Sequence, residues 1–185
     1  MQIEKTYLEG CFILKPKVFQ DDRGYFFESF NQKTFLENTG VKVNFVQDNE
    51  SLSTRGTLRG LHFQTGAFAQ AKLVRVIRGE VLDVVVDLRP DSKTYLKHFS
   101  IVLNDSNYFQ VFIPRDFAHG FVTVSETAIF AYKCDNYYHK ASESGIVFND
   151  PDLAIDWKLS DTEILLSEKD KTLPRLKDIE NAGKT

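Results

Sequence analysis

The feature that most restricts how this chain can fold is a succession of short apolar runs that are rich in β-branched and aromatic residues. Turn-forming residues separate these runs at regular intervals. Runs of this kind are typical of strands in a β-sandwich or β-barrel. Arg78-Gly79-Glu80 and Ser125-Glu126-Thr127 are predicted hairpin turns. We predict strands at residues 11–19, 25–30, 43–47, 57–64, 71–77, 81–88, 98–103, 108–113, 120–124, 128–134 and 145–148.

Helical signals are few. Asn31 is a suitable N-cap for a helix that runs through Asn38 and is closed by Gly40, and residues 173–181 are a second, weaker helical segment. Because open sheet edges invite aggregation, many strands with few helices favour closure of the sheet. We therefore predict an all-β jelly-roll β-barrel with a few short helices, whose mouth holds a small ligand.

Length and composition predict one ordinary globular domain. The chain has 185 residues, and its more polar end, about 158–185, is expected to pack on the barrel as an extension of a single domain, 1–185. The net charge of -3 does not supply the concentrated positive field that nucleic-acid binding needs. No apolar run is long enough for a membrane helix and no signal peptide is visible, so we expect a cytoplasmic protein without membrane contact. Cys11 and Cys134 fit no metal spacing and are expected to be reduced core residues.

A lysine and a tyrosine occupy strand faces that are otherwise apolar. Alternation along residues 71–76 puts Lys72 on a face of valines, and alternation along residues 128–134 puts Tyr132 on the face of Phe130. Charged side chains are seldom fully buried unless they are paired. Each residue alone is better explained as a solvated or core side chain, but together they favour a polar cavity inside the barrel.

Arg59 and His62 belong to one predicted strand but differ in parity. Strict alternation would put them on opposite faces of the strand. Both can reach one cavity only if Gly60 marks a bulge, which is a common use of a glycine within a strand.

A metal site is an alternative use of such a barrel. Jelly-roll metal sites often combine a His-x-His pair with a glutamate and a later histidine. Here His62 is followed two residues later by Gln64, and His119 is the remaining candidate ligand. Because two histidines do not make a secure catalytic metal site, we expect no metal.

A set of ordered motifs resembles one family. The motifs are PKVFQDDRGYFFESF, FVQDNES, LRGLHFQ, AQAKLVRVIRGEVLDVVVDLR, IPRDFAHGFVTVSE, FAYKCDNYY and SEKD, in order from Pro16 to Asp170. As a set they resemble the dTDP-4-dehydrorhamnose 3,5-epimerases, which are cupin-fold enzymes. The resemblance implies a cupin-type jelly roll, no cofactor, a substrate that is a dTDP-linked 4-keto-6-deoxysugar, and a homodimer in which strands cross between subunits.

The same resemblance assigns roles to individual residues. It implies that His62 is the general base, Asp170 the carboxylate that orients it, Lys72 a neighbour of the keto oxygen and Tyr132 the general acid. Phe26 or Phe27 is a candidate to stack on the nucleotide base, whereas core packing is the expected role of at least one of the two. The implied substrate-binding residues are Arg23, Phe26, Glu28, Gln47, Asp48, Asn49, Arg59, Lys72, His119, Glu143 and Lys169.

The chemistry of epimerisation needs these residue types. A base must remove the weakly acidic hydrogen beside the ketone, a cation must stabilise the enolate oxygen, and an acid must return a proton on the opposite face. We expect Lys72 to lower the pKa of Tyr132 and ease that transfer. Two alternatives stay open: an epimerase that acts at a single carbon of a related nucleotide deoxysugar, and a non-catalytic sugar-binding cupin.

Overall fold

Antiparallel strands dominate the fold, which is described here for residues 1–182 from a computed structural model. Within these residues no helix is long and apolar enough to cross a membrane. In chain order the elements are β1 (Gln2–Lys5), β2 (Phe12–Lys15), β3 (Phe19–Asp21), β4 (Gly24–Phe26), α1 (Gln32–Thr39), β5 (Gln47–Thr54), β6 (Leu58–Gln64), β7 (Lys72–Arg78), β8 (Glu80–Asp87), β9 (His98–Asn104), β10 (Gln110–Ile113), β11 (Phe117–Thr123), β12 (Thr127–Cys134), β13 (Glu143–Gly145) and α2 (Leu176–Ala182).

The strands form two main sheets and one small hairpin. The six-stranded sheet has the order β1-β2-β10-β7-β12-β5, the five-stranded sheet has the order β13-β6-β11-β8-β9, and β3 pairs with β4. Side chains from both large sheets meet in one apolar core, which includes Val74 and Phe130 from the first sheet and Val85 and Phe121 from the second. The predicted all-β fold with few helices is therefore confirmed, with two facing sheets as its framework.

Strand β8 shows why the sequence folds in this way. Its apolar run is almost continuous, which is typical of a strand that is covered on both faces. Val81 and Val85 point into the core between the sheets, whereas Val84 and Val86 pack on the outer side in a cluster with Trp157. Each fully buried side chain of this size contributes roughly 1.5–3 kcal/mol to folding.

The first helix begins and ends as predicted. The side chain of Asn31 accepts a hydrogen bond from the Thr34 backbone N–H at 3.0 Å, and Gly40 adopts the left-handed conformation and donates to Leu36 O at 2.8 Å. Phe35 is buried in the outer cluster that covers the six-stranded sheet.

Strands β5 and β1 differ most from the sequence prediction. The predicted strand at 43–47 is wrong over most of its length, because residues 41–46 form no strand and β5 instead occupies Gln47–Thr54. Val43 packs as part of a loop against the outer face of the six-stranded sheet. The other strand, β1, has alternating polar residues and was not predicted. Both are edge strands, for which an apolar pattern is a weak guide.

Elsewhere, the predicted strand at 145–148 overlaps β13 only at Gly145, and the predicted strand at 25–30 ends at Phe26. Residues 16–18 of the predicted strand at 11–19 form no strand.

The chain that follows Trp157 lies against the outer face of the five-stranded sheet. Leu166 and Leu176 contact the same apolar cluster as Trp157, and Leu165 forms an isolated parallel bridge with Thr57. The predicted helix at 173–181 corresponds to α2, although it begins three residues later, at Leu176. The division into one domain with a C-terminal extension stays a prediction, and its last residues, 183–185, lie outside the described part of the chain.

Candidate active site

A cavity of about 640 Å³ lies between the two large sheets. Strands β5, β7 and β12 supply one wall, and β6 and β11 supply the other. The predicted site residues that line the cavity are Asn49, Arg59, His62, Lys72, His119, Tyr132, Lys169 and Asp170.

His62 is held on the five-stranded side of the cavity by a carboxylate. Its Nε2 lies 2.5 Å from Oδ1 of Asp170, which belongs to a single 3₁₀ turn at Asp170–Thr172. The Ser167 hydroxyl donates to Oδ2 of Asp170 at 2.9 Å. Burial alone would raise the pKa of Asp170, but the hydrogen bond and charge of His62 and the bond from Ser167 hold it below its ordinary value. The carboxylate therefore stays ionised and orients the imidazole.

A bulge at Gly60 brings Arg59 and His62 to the same cavity. In the pairing of β6 with β11, His119 lies opposite His62 and Phe121 lies opposite Arg59, so β6 has one extra residue between the two pairs. The strands are so close here that a Cβ on Gly60 would lie 2.5 Å from the Cα of Gly120. The predicted bulge is confirmed, and glycine is required for this approach.

Lys72 and Tyr132 face the cavity from the six-stranded sheet. They lie on adjacent strands, with Nζ of Lys72 5.8 Å from the centre of the Tyr132 ring. Within residues 1–182, neither Nζ of Lys72 nor the hydroxyl of Tyr132 has a hydrogen-bond partner, so both are available to a ligand. Burial lowers the pKa of Lys72, although the acidic groups around it, Cys134 first, oppose this shift.

The expected effect of Lys72 on Tyr132 is wrong. Burial raises the pKa of Tyr132 and the Cys134 thiol adds to the rise, whereas the charge that lowers it comes from Arg59. Nζ of Lys72 lies over the face of the ring, and desolvation of the phenol outweighs any cation in its surroundings. Tyr132 is consequently kept in its protonated form.

The rim of the cavity carries a polar network. Glu143 accepts hydrogen bonds from Nζ of Lys169 at 2.6 Å and from the hydroxyl of Tyr138 at 3.0 Å. Gln47 donates to the side chain of Asn49 at 3.0 Å and accepts from the backbone N–H of Tyr138. Tyr138 was not among the predicted residues, although it lies within the matched motif FAYKCDNYY.

Four predicted binding residues lie elsewhere in this chain. Arg23 and Phe26 belong to the small β3–β4 hairpin, where the Arg23 side chain is 90% exposed and pairs with Asp21. Glu28 accepts a hydrogen bond from Asn31, and Asp48 pairs with Lys133 on an exposed face of β5. Within one chain, these side chains do not line the cavity.

The described residues include no group of three or more histidine, cysteine, aspartate or glutamate side chains arranged to hold a metal ion. The donors in the cavity are instead grouped in pairs. His62 pairs with Asp170 and His119 pairs with Asp83.

Comparison with known proteins decides the family. The sequence pattern of the family described as dTDP-4-dehydrorhamnose 3,5-epimerase matches residues 5–178. This chain belongs to the dTDP-4-dehydrorhamnose 3,5-epimerase family. The enzyme of that name from Methanothermobacter thermautotrophicus is 51% identical over 175 residues, which cover 94% of both chains.

Solved structures of the family share the fold. The epimerase of Elizabethkingia anophelis has a TM-score of 0.93 and 53% identity, covering 96% of this chain and 97% of that chain. An epimerase of Legionella pneumophila, solved in complex with dTDP-4-keto-L-rhamnose, has a TM-score of 0.93 and 45% identity, covering 98% of this chain and 95% of that chain. The chain is thus an enzyme of the isomerase class with the architecture of this epimerase family.

Proposed function

We propose that this enzyme converts dTDP-4-dehydro-6-deoxy-D-glucose to dTDP-4-dehydro-L-rhamnose by inverting the two carbons beside the ketone. The observation that carries the proposal is the placement of His62 and Tyr132 on opposite walls of one cavity, with Lys72 beside Tyr132. The names of the relatives and the ligand of the Legionella structure support the choice of substrate.

His62 is the proposed base. With Nε2 committed to Asp170, the other ring nitrogen, Nδ1, is the atom that takes the hydrogen from the carbon beside the ketone. Asp170 fixes the tautomer and favours the imidazolium once it forms. Because the ring is oriented before the substrate enters, little reorganisation is needed at this step.

Lys72 is the proposed partner of the ketone oxygen. The hydrogen leaves as a proton, and its electron pair spreads onto that oxygen as an enolate. The free ammonium of Lys72 offsets the developing negative charge inside a partly desolvated cavity, where the interaction is stronger than in water.

Tyr132 is the proposed acid. Its raised pKa keeps the hydroxyl protonated at neutral pH, which is the state that a proton donor requires. It returns the proton from the wall that faces His62, so the configuration at carbon is inverted. Since the ketone activates both of its neighbouring carbons, the same groups serve both inversions if the sugar is repositioned between them and if, in that interval, His62 releases its proton to solvent and Tyr132 takes one up.

The nucleotide end of the substrate carries a negatively charged diphosphate, which requires cationic side chains. Some of these side chains are proposed to come from a second subunit. Arg59 lines the cavity and offers a forked donor to a diphosphate. Arg23 and Phe26 belong to an exposed hairpin, and Phe26 is 70% exposed. We assign these residues and Glu28 to the cavity of a partner subunit in a strand-exchanged homodimer.

Subunit complementation tests the homodimer. Arg23→Ala and His62→Ala are each expected to be nearly inactive alone, because each removes one part from every site. Co-expressed in equal amounts, they should recover about a quarter of wild-type activity, since half of the dimers then hold one intact site. Recovery of no activity would refute the shared site.

Proton NMR in deuterated water tests the reaction itself. Incubation with dTDP-4-dehydro-6-deoxy-D-glucose should place deuterium at carbons 3 and 5 of the sugar. Deuterium at one carbon alone would instead indicate a single-site epimerase, and its absence would leave a non-catalytic sugar-binding protein. Full activity after thorough chelation is expected, because the proposed steps use only protein side chains. A cytoplasmic location remains a prediction from the sequence.

A further inference from the structure

Asp83 is a buried carboxylate that the proposed mechanism does not use. It lies on β8 between Val81 and Val85, and only 1% of its surface is exposed. Its Oδ1 is 2.7 Å from Nε2 of His119, while its Oδ2 has no hydrogen-bond partner in the described part of the chain. A carboxylate in apolar surroundings is costly unless its oxygens are satisfied. Packing alone therefore gives no reason for an aspartate here.

A second carboxylate on the same strand shows how a structural aspartate is satisfied. Asp87 is fully buried, and both of its oxygens accept hydrogen bonds, from Arg89, Ser92 and Thr94. These bonds hold the pKa of Asp87 at about 2, although burial alone would raise it. Asp83 accepts one hydrogen bond, whereas Asp87 accepts several. A contribution to folding stability is therefore a poor explanation for the presence of an aspartate at position 83.

The partner of Asp83 lies in the cavity of the proposed active site. His119 lines the cavity next to His62, its directly opposite residue across the β6–β11 pair. Its ring stacks near Phe130, with 6.0 Å between the ring centres, and Phe130 precedes Tyr132 by two residues on the same face of β12. His119 thus lies beside the proposed base and faces Phe130, which neighbours the proposed acid on β12.

The hydrogen bond to Asp83 determines which nitrogen of His119 is free. An ionised carboxylate only accepts hydrogen bonds, so the shared hydrogen belongs to Nε2. Nδ1 then carries a lone pair, and within residues 1–182 it has no hydrogen-bond partner. This arrangement repeats that of His62 with Asp170, one strand away.

We infer that Asp83 is a positioning residue that fixes the tautomer and ring of His119, so that Nδ1 accepts a hydrogen bond from a hydroxyl group of the bound sugar. The inference rests on the proposed function, because it takes the sugar of that reaction as the ligand. His119 touches the sugar, whereas Asp83 acts through His119. The pair fixes the sugar ring between the two walls while protons are moved on its carbons.

The Asp83→Asn variant tests the inference. Its amide has nearly the same shape but can donate to Nε2, which moves the histidine hydrogen to Nδ1. We expect kcat to fall by about 10- to 100-fold, because the hydrogen bond that holds the sugar in position is lost. In a His119→Gln background the same change should lower kcat by no more than about twofold further, because Asp83 acts through His119. If the double variant instead lost activity by the product of the two single-variant losses, the inference would be overturned.

Asp87→Asn is the matched control. It removes a buried carboxylate from the same strand but outside the cavity, so it should lower the unfolding temperature and leave kcat unchanged. If Asp87→Asn lowered kcat as much as Asp83→Asn, the loss would reflect damage to β8 and the inference would fail. Retention of wild-type kcat by a folded Asp83→Asn protein would also overturn it.

Nitrogen NMR of the wild-type enzyme gives a readout that does not need the variant to fold. The His119 resonances should show hydrogen on Nε2, and Nδ1 should shift when dTDP-glucose is added but not when dTDP is added. A hydrogen on Nδ1, or an Nδ1 that does not respond to the sugar, would refute the inference. Loss of the proposed function would be seen separately, as a wild-type enzyme that exchanges no deuterium with its substrate.

Discussion

The side chains on the two walls of the cavity are held in position in different ways. On the five-stranded side, His62 and His119 are each hydrogen-bonded to a carboxylate through Nε2. On the six-stranded side, Lys72 and Tyr132 have no hydrogen-bond partner in the described residues and are placed by strand geometry and apolar packing alone. The difference shows that a carboxylate orients the proposed base, whereas no described side chain orients the proposed acid and enolate partner through a hydrogen bond.

Of the proposed variants, removal of the base should lower activity most. A small effect would contradict the difference between the two walls. His62→Ala is expected to lower exchange of substrate hydrogen for solvent deuterium by about 10⁴-fold, because His119, the other oriented imidazole of the cavity, is assigned to a sugar hydroxyl and not to the hydrogen on carbon. Calorimetry with dTDP should show nearly unchanged binding. His139→Ala is a suitable control, since His139 stacks on Phe68 outside the cavity and should leave exchange unaltered. Exchange within tenfold of wild type would mean that another residue is the base.

Lys72→Met tests the unpaired cation on the opposite wall. We expect kcat to fall by about 10²- to 10³-fold, which is typical of the loss of one group that stabilises an oxyanion. The unfolding temperature should not fall, because the substitution removes a desolvated charge that has no ion-pair partner among residues 1–182. A variant that loses stability together with activity would show instead that Lys72 has a structural role.

Tyr132→Phe separates the two walls within a single reaction. Deuterium exchange should stay within about tenfold of wild type, because His62 still removes the proton, while net inversion falls by about 10²-fold without the acid. Both quantities are read from the same NMR time course. Equal loss of exchange and inversion would contradict a division of labour between the walls.

The smallest effect is expected from alkaline pH. Lys72 must be protonated to stabilise the enolate, and burial lowers its pKa below the ordinary 10.5. The contribution of Lys72 to activity is therefore fully present below that lowered pKa and is lost as the pH rises through it, at a lower pH than an ordinary lysine would give. The kcat of Lys72→Arg, measured from pH 7 upward, should be lower but hold its plateau to a higher pH. Identical alkaline limits in the two proteins would exclude Lys72 as the group that titrates.

Much of the five-stranded wall could be predicted from the sequence. The apolar run of β8 and the glycine between Arg59 and His62 are local signals, and each determines a strand or a bulge without knowledge of distant residues. The face of Lys72 also followed from alternation along β7. These features depend on the geometry of residues that are close together in the chain, so they can be predicted from the local sequence.

The remainder depends on contacts that the sequence does not record. Strand β5 was misplaced because its inward residues are polar and face the cavity, so its alternation lacks an apolar signal. The direction of the pKa shift of Tyr132 depends on how deeply the ring is buried, which only the packed sheets determine. Asp83 interrupts an apolar run as a visible anomaly, but its partner His119 is 36 residues away on another strand.

The contact of Gly60 with Gly120 has a consequence for the evolution of new substrate preferences. A side chain at either position would push the strands apart and displace both histidines together, so neither position can change by small, independent steps. Specificity can be altered more freely on the six-stranded wall and at the rim. A mutational library intended to accept other deoxysugars should therefore keep both glycines and vary the opposite side of the cavity.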